Sequence, residues 1–172
     1  MEHPIMDDLS IDCVIFGFTD ELKVLLVKHA EGISKGKWAL PGGWITYDES
    51  LDTAADRILK LLTGVDNLFL EQLKAFGAVD RFPGKRVVTV AYYTLIRDTD
   101  YDVVAGFTAS DVQWFSINEL PELPYDHQEI LQYAWDQLKH KVKQEPIGFN
   151  LLPKKFTLLQ LQNLYESILQ IK

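Results

Sequence analysis

The chain is poor in cysteine and in long apolar runs. Cys13 is the only cysteine among 172 residues, so no disulfide can form within the chain. No stretch reaches the roughly 18 uninterrupted apolar residues that a membrane helix requires. The segment 1–10 carries Glu2, Asp7 and Asp8 but no basic cluster, so it does not resemble a secretion signal. These absences predict a soluble cytoplasmic protein with no membrane partner.

Basic residues are also scarce, and they are unevenly distributed. Lysine and arginine number 17 against 25 acidic residues, a net charge of -8. Residues 1–138 hold 11 basic and 23 acidic side chains, whereas residues 139–172 hold six and two. This asymmetry indicates two parts with different roles, although a solvated basic helix end and linker would produce the same pattern.

Apolar spacing predicts a domain that mixes strands and helices. The runs 11–18 and 23–29 predict a hairpin, and 75–79, 86–97 and 112–115 predict further strands. Helical spacing predicts one helix over Ser50–Leu62, ended by Gly64, and another from an N-cap at Asp126 to about Lys143. Thr157 can cap a last helix, whose apolar face has to be buried.

A spaced motif lies around the first predicted helix. Gly43 is followed after five residues by Glu49 and after seven more by Arg57, and then by Leu59, Gly64 and Val65. The run resembles the signature of the Nudix hydrolases, which is Gly, five residues, Glu, seven residues, Arg-Glu, an aliphatic, any residue, Glu-Glu, any residue, Gly, an aliphatic. The resemblance implies an α/β fold, a Nudix-like α/β/α sandwich with a mixed sheet, and an ion pair between Glu49 and Arg57.

The three glutamates on which the catalysis of this family depends are replaced here by Ile58, Leu61 and Leu62. In the family, these side chains share one helical face and bind Mg²⁺ or Mn²⁺ through oxygen. Apolar side chains offer no such ligands, which predicts a protein that is not an enzyme, with no catalytic residue, no metal and no cofactor. The alternative is a Nudix hydrolase of nucleoside diphosphate derivatives whose metal site is relocated to an acidic helix face formed by Asp48, Asp52 and Asp56. The simpler interpretation of this acidic face is that it is exposed to solvent.

Residues 76–93 and 151–166 carry a second resemblance, to Nudix-related transcriptional regulators of bacteria (NrtR/AraR-like). It implies an effector-binding domain over 1–143, a linker over 144–155, and the first helix of a truncated winged helix-turn-helix domain over 156–172. Its remaining elements would lie beyond Lys172. The implied function is that of a DNA-binding regulator, a repressor that binds operator DNA as a homodimer. Lys154 and Lys155 are candidate DNA contacts.

The resemblance implies a small-molecule effector, either a sugar such as a pentose or an ADP-ribose-type nucleotide. The apolar motif helix favours a neutral sugar, because no metal would bridge a pyrophosphate. Aromatic, acidic and basic residues near the expected cleft are the candidates for binding it: Lys28, His29, Trp38, Trp44, Glu49, Asp80, Arg81 and Arg86.

Each candidate also has a simpler interpretation. Trp38 fits a core position, Arg81 a surface ion pair, and Lys28 a solvated strand end. His127 fits the start of a helix better than a catalytic base. A third class, an interaction module that binds no ligand, is also compatible with the sequence.

Overall fold

The computed structural model describes residues 4–171. Seven strands form one mixed sheet with helices on both faces, which confirms the predicted α/β class. The helices are α1 (Leu51–Thr63), α2 (His127–Gln144) and α3 (Leu158–Leu169), with 3₁₀ turns at Asp98–Asp100 and Ile147–Leu151. The strands are β1 (Ile5–Phe18), β2 (Leu22–His29), β3 (Trp38–Ala39), β4 (Gly42–Thr46), β5 (Glu71–Phe76), β6 (Val88–Ile96) and β7 (Ala109–Ser116).

Strand β1 is the centre of the sheet. It runs parallel to β6 along one edge, and its other edge is shared by β4 near the start and β2 near the end, both antiparallel. Strand β7 pairs with β2, and β5 pairs with β6. The sheet therefore diverges where β1 passes from β4 to β2, and loops from several strands meet at this divergence.

Alternation along β1 assigns its side chains to two cores. Ile11, Cys13 and Ile15 join the apolar cluster that contains α1. Val14 and Phe16 join the cluster that contains α2 and α3 on the opposite face. This is the two-residue period of a strand that is covered on both sides. Cys13 is fully buried, as its apolar neighbours predict.

The last helix, α3, packs against the sandwich. Thr157 and Gln160 form a reciprocal capping box at its start, which confirms the predicted cap. Leu164 and Ile168 are completely buried in the cluster that contains α2. The indole Nε1 of Trp135 on α2 donates to the carbonyl oxygen of Ile168 at 2.9 Å. The apolar face of α3 therefore finds its partners on α2 and the sheet.

Both longer helices are confirmed to within two residues. The predicted hairpin is also confirmed, although its first strand begins at Ile5, six residues before the predicted start. Gly64 ends α1 with φ 74°, a left-handed conformation that favours glycine. The predicted strand at 75–79 is misplaced, since β5 covers Glu71–Phe76. Strands β3 and β4 were not predicted. No described helix is both long and apolar enough to span a bilayer.

Candidate functional site

An ion pair ties the loop before α1 to that helix. Arg57 donates from Nε to Glu49 Oε2 at 2.8 Å and from Nη2 to Glu49 Oε1 at 2.5 Å. The same Nη2 also donates to the carbonyl oxygen of Trp44, and the backbone N–H of Thr46 donates to Glu49. The predicted pair is thus confirmed. The hydrogen bonds from Arg57 lower the pKa of Glu49 to about 2.

The three motif positions that lack glutamate lie on α1. Ile58 and Leu62 are buried in the α1 cluster, whereas Leu61 is 42% exposed. Ile58 packs against Gly43, where a Cβ would come within 3.3 Å of its Cγ1. These positions present hydrocarbon alone, so this donor set does not fit the Mg²⁺ or Mn²⁺ that the family resemblance implies.

A relocated cation site has little support among residues 4–171. In that range no three His, Cys, Asp or Glu side chains are grouped so that they could hold a metal ion. Asp52 instead accepts a hydrogen bond from the Tyr92 hydroxyl at 2.5 Å, and Asp56 is exposed to solvent. One carboxylate of this acidic face, that of Asp52, is therefore engaged in the contact between α1 and the sheet.

A cleft of about 430 Å³ opens where three loops meet. The loops are the β2–β3 loop, the β5–β6 loop and the segment that enters α2. The cleft combines charged, aromatic and apolar surface in a volume suited to a small molecule. Its lining is formed by Ile33, Ser34, Lys37, Ala78, Asp80, Arg81, Pro83, Pro124, Tyr125, Asp126 and Glu129.

Arg81 in the wall of this cleft is a buried cation. Its Nε and Nη2 donate to the two carboxylate oxygens of Asp126 at 2.9 and 2.8 Å. Its Nη2 also lies 3.4 Å from Asp12 Oδ2. The side chain of Arg81 is only 3% exposed. The interpretation of Arg81 as a surface ion pair is therefore wrong, because its partners come from distant parts of the chain and enclose it.

Behind Arg81, Asp12 is surrounded by donors. Thr89 Oγ1 donates to it at 2.7 Å, and His127 Nε2 lies 3.2 Å from its other oxygen. His127 Nδ1 accepts from the backbone N–H of Leu40, so Nε2 carries the proton. Burial alone would raise the pKa of Asp12, but His127, Thr89 and Arg81 together hold it below 3.8. His127 is the first residue of α2, as predicted.

Glycine at position 42 makes room for this carboxylate. A Cβ at Gly42 would overlap Asp12 Oδ1 and lie 2.7 Å from the carbonyl oxygen of Ile11. Any larger residue would therefore displace Asp12 from Thr89 and His127. Gly42, the first residue of β4, thus supports the polar cluster on the face of the sheet opposite α1.

Aromatic rings line one side of the same region. Trp44 meets Phe82 edge-on at 5.9 Å, and Phe82 stacks on Tyr125 at 5.0 Å. The Tyr125 hydroxyl is hydrogen-bonded to Ser34, which connects the rings to the β2–β3 loop. Tyr125 has φ 54°, an unfavourable backbone conformation for a residue other than glycine. Such strain is held only where the surrounding contacts enforce it.

The structure brings some of the eight candidate residues together and leaves others apart. Asp80 and Arg81 line the cleft, and Trp44 adjoins it through Phe82. Lys28 lies over the ring of Trp38 at 5.9 Å, and that ring packs on Phe115.

The other candidates have different environments. His29 is half-buried, and burial lowers its pKa, with a further contribution from His127. Glu49 is engaged by Arg57, and Arg86 is exposed. Lys154 and Lys155 are exposed in the connector that precedes α3.

Asp12, Ser34 and Tyr125 are absent from the predicted set although they complete the site. For Asp12 the sequence carries a signal, a carboxylate between Ile11 and Cys13 in an otherwise apolar strand. A buried charge of this kind requires partners. Asp126 does occupy the predicted N-cap position, but its side chain caps no backbone N–H and binds Arg81 instead.

Comparison with known proteins identifies two segments. Residues 6–135 match the family model "NUDIX domain". Residues 148–172 match the model "NrtR DNA-binding winged helix domain". The second match confirms the resemblance to Nudix-related transcriptional regulators.

Two curated relatives are similar in sequence. The ADPR responsive transcriptional repressor NtrR of Acinetobacter baylyi is 33% identical over 166 residues, covering 94% of this chain and 66% of the relative. The ADP-ribose pyrophosphatase of Methanocaldococcus jannaschii is 30% identical over 110 residues, covering 64% of each. The chain thus spans slightly less than two thirds of the length of the curated relatives it matches.

Solved structures share the fold. A MutT/nudix family protein from Enterococcus faecalis superposes with a TM-score of 0.86 at 29% identity, covering 100% of this chain and 76% of the other. The NUDIX domain of Shewanella oneidensis NrtR complexed with ADP ribose gives 0.70 at 32% identity, covering 80% and 90%. NrtR of that organism complexed with a 27mer DNA gives 0.76 at 31%, covering 94% and 76%. Because the NUDIX model covers more than half of the chain, this protein belongs to the Nudix family.

Proposed function

We propose that the protein is a transcriptional regulator, a repressor, whose Nudix domain binds an ADP-ribose-type nucleotide without hydrolysing it. One observation carries the proposal. A Nudix motif with hydrocarbon at its three metal-binding positions shares a chain with a segment that matches a DNA-binding winged-helix model. A domain whose motif lacks metal ligands can still bind a nucleotide. Through the adjoining segment, nucleotide binding could then regulate DNA binding.

The choice of a nucleotide over a sugar rests on the relatives and on Arg81. The Acinetobacter baylyi repressor is named as ADPR responsive, and the Shewanella oneidensis domain was solved with ADP ribose. The preference for a neutral sugar depended on the apolar motif helix. Arg81 supplies a cation in the cleft that is independent of that helix, since it comes from the β5–β6 loop. Guanidinium groups bind phosphate oxygens in a bidentate manner.

The cleft also offers groups for the rest of such a ligand. Tyr125 lines the cleft and is stacked on Phe82, so its ring offers a surface against which a base can pack. Asp80 is exposed in the lining, where its carboxylate can accept hydrogen bonds from ribose hydroxyls. Together these groups suit a ligand that combines a base, a sugar and phosphate.

The DNA-binding role belongs to the segment after α2. Residues 1–143 would bind the effector, 144–155 would connect, and 156–172 would begin the winged helix. Lys154 and Lys155 are exposed at this junction, where lysine side chains can neutralise DNA phosphates. A homodimer would match a two-fold operator, and such a regulator would act in the cytoplasm.

A second candidate function is hydrolysis, which the similarity to the Methanocaldococcus jannaschii ADP-ribose pyrophosphatase favours. It requires a cation held somewhere other than at Ile58, Leu61 and Leu62. A relocated site on the acidic face of α1 would give Mg²⁺-dependent AMP release that is lost in Asp52→Asn or Asp56→Asn.

A thermal-shift screen tests the proposed effector. The full chain is heated with ADP-ribose, NAD, pentoses and hexoses, each with Mg²⁺ and with EDTA. ADP-ribose at a hundredfold excess over its Kd should stabilise the protein by about 2.7 kcal/mol, equally with Mg²⁺ and with EDTA. Arg81→Gln should reduce this shift, whereas Lys139→Gln, on the far part of α2, should not. Stabilisation by a pentose alone would refute the choice of a nucleotide.

A further inference from the structure

We propose that Asp126 occupies the position on Arg81 that a phosphate of the effector takes, so that effector binding breaks this ion pair and frees the Asp126 carboxylate to cap α2. The inference rests on the proposed function, because it assigns the regulation of the same cleft. Arg81 and Asp126 both line the cleft, and Asp126 is the more exposed of the two, at 11% against 3%.

Of the two carboxylates paired with Arg81, that of Asp126 is the one that a ligand phosphate can displace. Arg81 faces two carboxylates, those of Asp126 and Asp12. Asp12 is fixed by Thr89 and His127 deeper in the fold, whereas among residues 4–171 the Asp126 carboxylate is held by Arg81 alone. A ligand phosphate that displaced Asp126 would therefore leave Arg81 neutralised and Asp12 undisturbed.

Asp126 has a second arrangement available once it leaves Arg81. It is the N-cap residue of α2, but its carboxylate now caps no backbone N–H. Aspartate is among the best N-cap residues, so the released side chain can turn to the first-turn amides of Gln128 and Glu129. The start of α2 therefore has two states, one paired with Arg81 and one capped.

Helix α2 connects these states to the segment that matches the winged-helix model. It begins at the cleft, and farther along it Trp135 donates to the carbonyl oxygen of Ile168 on α3. A change in the conformation of the first turn of α2 is thus transmitted along α2 to its contact with α3. Effector binding and the placement of α3 become linked through one rigid element.

Two substitutions at Asp126 separate the ion pair from the cap. Asp126→Asn abolishes the ion pair and keeps a capping side chain, whereas Asp126→Ala abolishes both. Each variant should fold, because Arg81 keeps Asp12 as a partner. Asp136→Asn is the matched control, since it removes an exposed carboxylate from the same helix at a distance from the cleft.

The binding of ADP-ribose to the full chain is measured by calorimetry. Both Asp126 variants should bind about tenfold more tightly than the wild type, because the competing carboxylate is gone, and Asp136→Asn should bind as the wild type does. The gain should persist at high salt, which screens a general charge effect. Equal affinity for all four proteins would overturn the ion-pair exchange and leave the proposed effector intact. Absence of binding in all four would overturn both.

Amide hydrogen exchange tests the capped state. The amides of Gln128 and Glu129 should become protected in the wild type with ADP-ribose and in ligand-free Asp126→Asn, but not in Asp126→Ala. Unchanged exchange of these amides in the wild-type complex would overturn the release of Asp126.

Discussion

At the scale of single residues, Glu49 and Arg57 of the Nudix motif have a structural role, because they join the loop before α1 to that helix. Both carboxylate oxygens of Glu49 accept hydrogen bonds from Arg57. These bonds lower the pKa of Glu49 from 4.5 to about 2. A depressed pKa in the folded state means that the stabilisation is complete above the ordinary pKa and is lost as the pH falls through the folded value.

This pair predicts a pH dependence of the free energy of unfolding. Between pH 5 and pH 2 the wild type should lose about 1 kcal/mol that Glu49→Gln does not lose, a value reduced for the partial exposure of Arg57. Urea denaturation at several pH values measures the difference between the two slopes. Asp66→Asn, which removes an exposed pair with Lys60, should keep the wild-type slope. Identical slopes for the wild type and Glu49→Gln would contradict the account.

Arg81 shows what the sequence does not reveal at this scale. The Glu49–Arg57 pair was predictable because the family resemblance implies it. Arg81 meets Asp126, 45 residues away, and Asp12, 69 residues away. No local pattern records such contacts, so the sequence names Arg81 as a candidate for the cleft but reveals neither its burial nor its partners Asp126 and Asp12.

At the scale of elements, α3 has one buried and one exposed apolar face. Leu164 and Ile168 are fully buried, whereas Leu158 is 83% exposed and Leu159 is 63% exposed. The helix therefore contributes to the core that contains α2, and its first turn presents leucine to solvent.

Two alanine substitutions in this helix should differ sharply. Ile168→Ala should lower the free energy of unfolding of the whole chain by about 2–5 kcal/mol, because it leaves a cavity against α2. Leu158→Ala, in the same helix, should change it by no more than about 0.5 kcal/mol. Urea unfolding followed by tryptophan fluorescence measures both. If Ile168→Ala left the main unfolding transition unchanged, α3 would not be part of the folded core.

The helices and strands with the longest regular apolar patterns were predicted most accurately from the sequence. Helices α1 and α2 carry long amphipathic patterns, and their ends were located closely from Gly64 and Asp126. Among the described strands, β5 lies at the edge of the sheet beside β6. Its half-buried Glu71 and its exposed Gln72 and Lys74 gave no apolar signal. Strand β3 has two residues, too few for any period to be read.

At the scale of the whole molecule, one helix connects the cleft to the segment that matches the winged-helix model. The β-sheet holds three loops around a cleft, α2 starts at that cleft, and α3 packs on α2. The α1 helix, which would bind the catalytic metal in a Nudix hydrolase, here presents Ile58, Leu61 and Leu62. Under the proposed function, binding and catalysis are therefore separated within a single Nudix fold.

Phosphorus NMR of ADP-ribose, mixed with an equimolar amount of the chain and Mg²⁺, tests this separation most directly. The account predicts that the two pyrophosphate resonances shift or broaden on binding and remain the only phosphorus signals, and that the spectrum is the same with EDTA. Growth of the phosphomonoester signals of AMP and ribose 5-phosphate, or pyrophosphate resonances identical to those of the free ligand, would contradict it.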